Sequence, residues 1–169
     1  MLDEATISPC GRYRYRLTRE LGGSRAVTFV MLNPSTADAS IDDPTIRRCK
    51  GFARAWGFGR LIVANLYAWR ATDPAELRRQ AMSGWNVIGH DNDSWIMQAV
   101  REAEVVVVAW GTRGDAERSR AVLSIIRAGD RVPMCLGFSR DGSPRHPLMM
   151  PRSAPLQPFR PEESRWPAK

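Results

Sequence analysis

The chain reads as a single α/β domain: a three-layer α/β/α sandwich around a mainly parallel sheet, with an antiparallel hairpin at its N-terminal side. Short apolar runs rich in β-branched residues, at 27–32, 61–65, 105–109 and 132–136, alternate with longer segments of helical periodicity. Runs of this kind fit strands buried on both faces, as in a parallel sheet covered by helices. At 169 residues and 43% hydrophobic composition, the chain can bury one core and needs no second domain.

The elements follow in order. Arg12-Tyr-Arg-Tyr-Arg-Leu17 alternates strictly, which predicts Tyr13, Tyr15 and Leu17 on one face and Arg12, Arg14 and Arg16 on the other. Gly22-Gly23-Ser24 supplies a turn, so the simplest pairing is an antiparallel hairpin with 27–32, the arginine strand lying near an edge. Charges there discourage intermolecular strand pairing. The run 27–32 stops at Asn33-Pro34. Proline drives the preceding residue out of the α region and has no N–H for a ladder, so the chain turns where a polar side chain is presented.

Asp42-Asp43-Pro44 predicts a helix start, with carboxylates at the positive end of the dipole and proline at the first helical position. That helix runs to Trp56, with Ile46, Cys49, Phe52, Ala53 and Trp56 at helical spacing and Gly57 as its C-terminal cap. Arg47, Arg48, Lys50 and Arg54 occupy its remaining surface. The second core run ends at Asn65, and a loop leads to a short helix through Glu76, Leu77 and Arg79, capped by Thr72 or Asp73. Residues 82–93, with Gly84, Gly89, His90 and Asn92, read as a loop near the carboxyl edge. The following helix buries Ile96, Ala99, Val100 and Ala103.

Residues 105–109 are the clearest strand and Gly111-Thr112-Arg113-Gly114 the clearest turn. A helix capped near Asp115 then carries Val122, Leu123, Ile125 and Ile126 inward and stops at Gly129. In the last run, 132–136, Pro133 points to the beginning of a strand or a sheet edge. The domain is expected to span 1–150. The proline-rich tail, 151–169, is expected to be draped or disordered.

Composition narrows the function classes. No apolar run approaches a membrane span, and Met-Leu-Asp-Glu-Ala-Thr lacks the basic-then-apolar layout of a signal peptide, so a cytoplasmic protein is expected. Cys10, Cys49 and Cys135 are odd in number and lack metal-ligand spacing, which predicts reduced thiols, no metal and no cofactor. The net charge is +7, and nearly all the positive charge is arginine, since Lys50 and Lys169 are the only lysines. That balance favours a polyanionic partner, nucleic acid and first of all DNA, bound by a monomer.

Right-handed crossovers between parallel strands would gather the polar strand endings Asn33, Asn65 and Trp110-Gly111-Thr112, together with His146 after the last strand, along one edge of the sheet. In open α/β sheets that edge is where ligands bind.

These residues also carry two resemblances. The segments 32–38 (LNPSTAD), 45–49 (TIRRC), 70–74 (RATDP) and 146–148 (HPL) resemble those of an uncharacterised bacterial domain family. More distantly, the order Leu-Asn33-Pro-Ser, Ala-Asn65-Leu, Val-Ala-Trp-Gly111 and His146-Pro-Leu resembles the uracil-DNA glycosylase superfamily. Members of that superfamily carry a Gly-x-(Asn/Asp)-Pro turn after the first core strand, an asparagine ending the next, and a His-Pro-Ser-type loop near the end, where this chain has Leu32 before Asn33 and Leu148 after His146-Pro147.

The second resemblance implies a protein that hydrolyses the N-glycosidic bond of a damaged or modified base in DNA. Asn33 would position the attacking water and His146 would donate to the departing base. Asn65 would read the base edge, with Tyr67, Trp69 and Phe138 placed to stack on it. Leu148 or Met149 would wedge into the stack, while Arg113, Arg140 and Arg145, with Ser139 and Ser143, would hold phosphates. Because asparagine is a poor base, catalysis would be slower than with aspartate. The alternative is a non-catalytic module on the same fold that only binds a base, a nucleotide or modified nucleic acid.

Overall fold

A computed structural model of the chain describes residues 3–161 except Thr36 and Ala39, and only the backbone of Pro74. The elements are β1 (Glu4–Ile7), β2 (Arg14–Glu20), β3 (Ala26–Met31), α1 (Pro44–Ala55), β4 (Arg60–Asn65), α2 (Pro74–Met82), α3 (Asn92–Glu102), β5 (Val105–Val108), α4 (Ala116–Ala128), β6 (Pro133–Cys135) and β7 (Gln157–Pro158). One seven-stranded sheet runs in the order β1-β2-β4-β3-β5-β6-β7. Its central strands β4, β3, β5 and β6 are mutually parallel, and β1, β2 and β7 are added antiparallel at the flanks.

The parallel strands are buried on both faces because alternate residues feed different cores. Val27, Phe29, Met31, Leu61 and Val63 pack with Ile46, Phe52 and Ala53 of α1. Val30, Ile62, Ala64, Val106 and Val108 pack on the opposite face with Ile96 and Val100 of α3 and Val122, Leu123 and Ile126 of α4. The helix starts are set by side chains. Asp43 accepts from the Ile46 N–H at 2.8 Å, Asp73 from Ala75 at 2.9 Å and Asp115 from Arg118 at 2.9 Å.

Two expectations at the N-terminal side are corrected. The strand β2 does not form a hairpin with β3. Both edges of β3 are taken by parallel partners, β4 and β5, so β2 pairs with the outer edge of β4, with Leu17 opposite Val63. The Gly22-Gly23-Ser24 turn carries the chain across the start of β4 instead. A Cβ on Gly59 would lie 2.2 Å from the Gly23 Cα, so this crossing needs a glycine at 59.

Nor is β2 a half-exposed edge strand, because β1 covers its other side. Against β1, Ile7 faces Arg14 while Thr6 faces Arg16, so Tyr15 is an extra residue, a β-bulge. The bulge breaks the alternation of the arginines. Arg16 reaches Glu102 of α3, whereas Arg14 turns to the α1 side, where Leu17 and Arg19 also point, and is buried.

The chain beyond residue 150 takes part in the fold. Gln157 pairs with Cys135, and Phe159 is buried against Trp110 and Phe138. Residues 162–169 of the tail lie outside the described residues.

Because β4 and β5 lie on either side of β3, with α1 on one face and α4 on the other, the loops after β3 and β5 part company at their carboxyl ends. This is the topological switch point of the sheet.

Candidate functional site

A cavity of about 810 Å³ opens at that switch point. Its walls come from the end of β3 and the loop after it (Met31, Leu32, Asn33, Ser35), the start of α1 (Asp43 to Ile46) and the turn after β5 (Trp110 to Arg113). Ala71 and Thr72 close one side, and the segment after β6, from Ser139 to Met149, closes the other.

Asn33 is half-buried. Its Nδ2 donates to Ala71 O at 2.7 Å and Pro34 O at 3.1 Å, while the Ala71 N–H donates to Pro34 O. The turn after β3 is thus stitched to the segment after β4, and the amide plane is fixed. Its Oδ1 accepts no hydrogen bond from the described residues, and the residue lines the cavity.

His146 lines the same cavity, at the start of a short 3₁₀ turn over Pro147–Met149. Its Nδ1 is the acceptor for a long hydrogen bond from the Leu148 N–H at 3.4 Å, an arrangement that puts the ring proton on Nε2. Burial pulls the imidazole pKa below its ordinary value, with the nearby Asp43 carboxylate opposing, so the neutral ring is favoured near pH 7.

Two further groups in the cavity were not apparent as site residues from the sequence. Arg14, 2% exposed, donates through Nη1 to Ala37 O. Among the described residues its Nε has no partner, and the side chain lines the cavity. Burial and the neighbouring Arg70 and Arg19 push its pKa down to about 10, against the pull of Asp43, and it stays charged at neutral pH. Asp43 uses Oδ1 to cap α1, while Oδ2 carries no hydrogen bond or ion pair among the described residues. No periodicity could have found Arg14, because the bulge that turns it inward is invisible in an alternating pattern. Asp43 read simply as part of a helix start.

Of the residues expected at the site, Asn33, His146, Leu148, Met149, Arg113, Ser139, Arg140 and Arg145 all line the cavity. Leu148 and Met149 are 43% and 72% exposed at its rim, and Arg145 is anchored through Nε to Phe138 O at 2.9 Å.

Five others do not line it. Asn65, 1% exposed, lies beside Met31 in the register, with both polar atoms of its amide buried and unpartnered. The backbone around it is held by Asn92, which donates to Asn65 O and Leu66 O, and by Arg118, which donates to Leu66 O. Tyr67 lines a second cavity of about 620 Å³ with Leu77 and Val87, which shares Leu32 and Arg113 with the first. Trp69 is packed among Tyr13, Trp85 and Ala68, and Phe138 stacks on Phe159. Ser143 is buried in the turn where Ser139 N–H donates to its carbonyl. His90 is exposed and lines neither cavity.

Among the described residues no group of three His, Cys, Asp or Glu side chains is placed to hold a metal ion, and no helix is long and apolar enough to cross a membrane.

Residues 14–148 match the model of the family described as Protein of unknown function (DUF1643). The chain belongs to this family. The DUF1643 span begins at Arg14 and ends at Leu148, so it contains every residue that lines the first cavity except Met149. No curated protein and no solved structure matches the chain.

Proposed function

We propose that the cavity receives a single base turned out of a DNA strand. On this reading the protein hydrolyses the N-glycosidic bond of a damaged or modified base, on a fold of the uracil-DNA glycosylase type. The observation that carries the reading is the meeting of Asn33 and His146, far apart in sequence, across one cavity at the switch point. With its amide nitrogen tied to two carbonyls, Asn33 presents a fixed Oδ1 that accepts from a water and aims it. His146, neutral and protonated at Nε2, donates to the carbonyl oxygen of the base as negative charge develops there.

The rim suits the same substrate. Arg113, Arg140 and Arg145 present cations for phosphates, and Leu148 and Met149 offer an apolar wedge for the gap in the stack. Reading of the base edge falls to the cavity's own polar groups, Arg14 and the hydroxyls of Thr45 and Thr72, since Asn65 lies behind the wall.

One observation favours a second reading, a module that recognises a base, nucleotide or modified nucleic acid without cutting. The Asn33 amide nitrogen is engaged as a turn amide, and an asparagine is not a strong base. An abasic-site assay on oligonucleotides carrying a panel of modified bases separates the two. Hydrolysis is expected on at least one base and is lost in Asn33→Ala with affinity retained, because aiming a water matters chiefly in the transition state. Saturable binding with no abasic product would establish the binding module instead.

A further inference from the structure

The proposed chemistry leaves a proton without a destination, because neither an asparagine nor a histidine protonated at Nε2 and donating to the base can take it from the attacking water. We propose that Asp43 is a catalytic residue of this cavity, the carboxylate that faces the sugar and receives the water's proton. The inference rests on the glycosylase reading.

Three observations carry it. Asp43 is the one carboxylate among the described residues that line the cavity. Its Oδ1 is held by the Ile46 N–H at 2.8 Å, which orients the group and leaves Oδ2 without a partner among the described residues. Arg14 and His146 line the same cavity, and the Asp43 carboxylate is near enough to both to favour their charged forms.

The loop that delivers Asp43 is also fastened from beneath. Arg14 holds Ala37 O, while Arg19 holds the carbonyls of Asp38 and Ile41 and the carboxylate of Asp42. A surface helix cap needs no such foundation, whereas a reacting group held to a fraction of an ångström does.

The step balances without a co-reactant. The C1′–N bond breaks and its electron pair leaves with the base, whose carbonyl oxygen accepts from His146 Nε2–H. Water held by Asn33 Oδ1 forms the new C1′–O bond and gives its proton to Asp43 Oδ2. That proton is then passed to the free base, leaving a C1′ hydroxyl on the abasic sugar. As positive charge spreads over C1′ and the ring oxygen, the ionised carboxylate stabilises it electrostatically.

Asp43→Asn tests the role cleanly, because asparagine caps a helix as well as aspartate and the fold is kept. Two duplexes serve as probes, one carrying a cationic pyrrolidine in place of the sugar and one carrying the neutral tetrahydrofuran analogue. The wild-type protein should prefer the cationic duplex by about tenfold, the scale of one charge-assisted hydrogen bond. Asp43→Asn should bind both equally. Asn33→Ala, which removes the water's partner and not the carboxylate, should keep the preference. On a cleavable base Asp43→Asn should lower the rate by roughly two to four orders of magnitude. An unchanged preference or an unchanged rate in Asp43→Asn would overturn the role while leaving the glycosylase reading intact. Failure of the wild-type protein to bind either duplex would overturn both.

Discussion

Arg19 and Arg14 leave the same strand toward the same loop, 1% and 2% exposed, and the two ends of β2 are built differently around them. Arg19 commits every nitrogen: Nε to Asp42 at 2.7 Å, Nη1 to Thr18 O, and Nη2 to the carbonyls of Asp38 and Ile41. Asp42 is held in turn by Lys50 at 2.6 Å. Among the described residues the Arg14 side chain makes one hydrogen bond, to Ala37 O, and its Nε is buried without a partner. A buried cation whose hydrogen bonds are complete belongs to the fold. One whose hydrogen bonds are incomplete, on the wall of a cavity, keeps donor capacity that a group entering the cavity could use. The bulge at Tyr15 separates the two ends and turns Arg14 to that wall.

Stability should divide the pair most sharply. Arg19→Met leaves two loop carbonyls, the Thr18 carbonyl and a carboxylate short of a donor and should cost about 3 kcal/mol, as for removal of one partner from a buried ion pair. In thermal melts that is roughly 6–12 °C at this chain length. Arg14→Met should cost less than about 1 kcal/mol, because it removes an unsatisfied Nε along with the charge. A comparable loss from both variants would erase the distinction.

Ligand affinity should reverse the order. Arg14→Met is expected to weaken binding of a base-bearing oligonucleotide by about 10- to 100-fold, the worth of hydrogen bonds to a charged group, measured by titration at fixed salt. The same titration on Arg19→Met, at a temperature where it is folded, should show little change.

Acid should find the Arg19 end first. Burial pushes the Asp42 carboxyl up, but hydrogen bonds from Lys50 and Arg19 outweigh it and hold the carboxyl below its ordinary value. A group depressed in the folded state contributes stability that is present above its unfolded pKa, about 4, and lost as pH falls through the folded value. The fall in melting temperature below about pH 4 should therefore be shallower in Asp42→Asn, which begins less stable. An identical slope in both proteins would remove Asp42 from the account.

The smallest effect belongs to the rim. Arg140→Ala and Arg145→Ala should each reduce the slope of log affinity against log salt by roughly 0.9, one phosphate contact apiece, with little change in base preference. A shift in preference with an unchanged slope would move these arginines from phosphate to base.

Much of this architecture was legible in the residues. The β-branched runs placed the four parallel strands, Asp-Pro and Gly marked helix ends such as Asp43-Pro44 and Gly57, and the strand endings put Asn33 and His146 at one edge. These are local signals, because each needs only the conformational preferences of a few consecutive residues.

The partner of β2 was not legible. Whether a strand pairs with β3 or β4 depends on which edges are already filled, and the space between Gly23 and Gly59 that permits the crossing exists only when both are in place. The fate of Asn65 was equally hidden. A strand-end position says that a side chain is near the edge but not whether it stands on the cavity or behind its wall.

The sequence by itself determined the α/β class, the parallel core, the helix caps, the basic arginine-rich character and the edge at which a site would lie. Only the tertiary structure decided that β2 sits outside β4, that Phe159 closes the core, and that Arg14 and Asp43 stand in the cavity while Asn65, Trp69 and Phe138 do not. The physical reason is range. Propensity, capping and periodicity act within a few residues, whereas a bulge's effect on facing, the closure of a cavity and the completeness of a buried cation's hydrogen bonds depend on groups that meet only when distant segments pack.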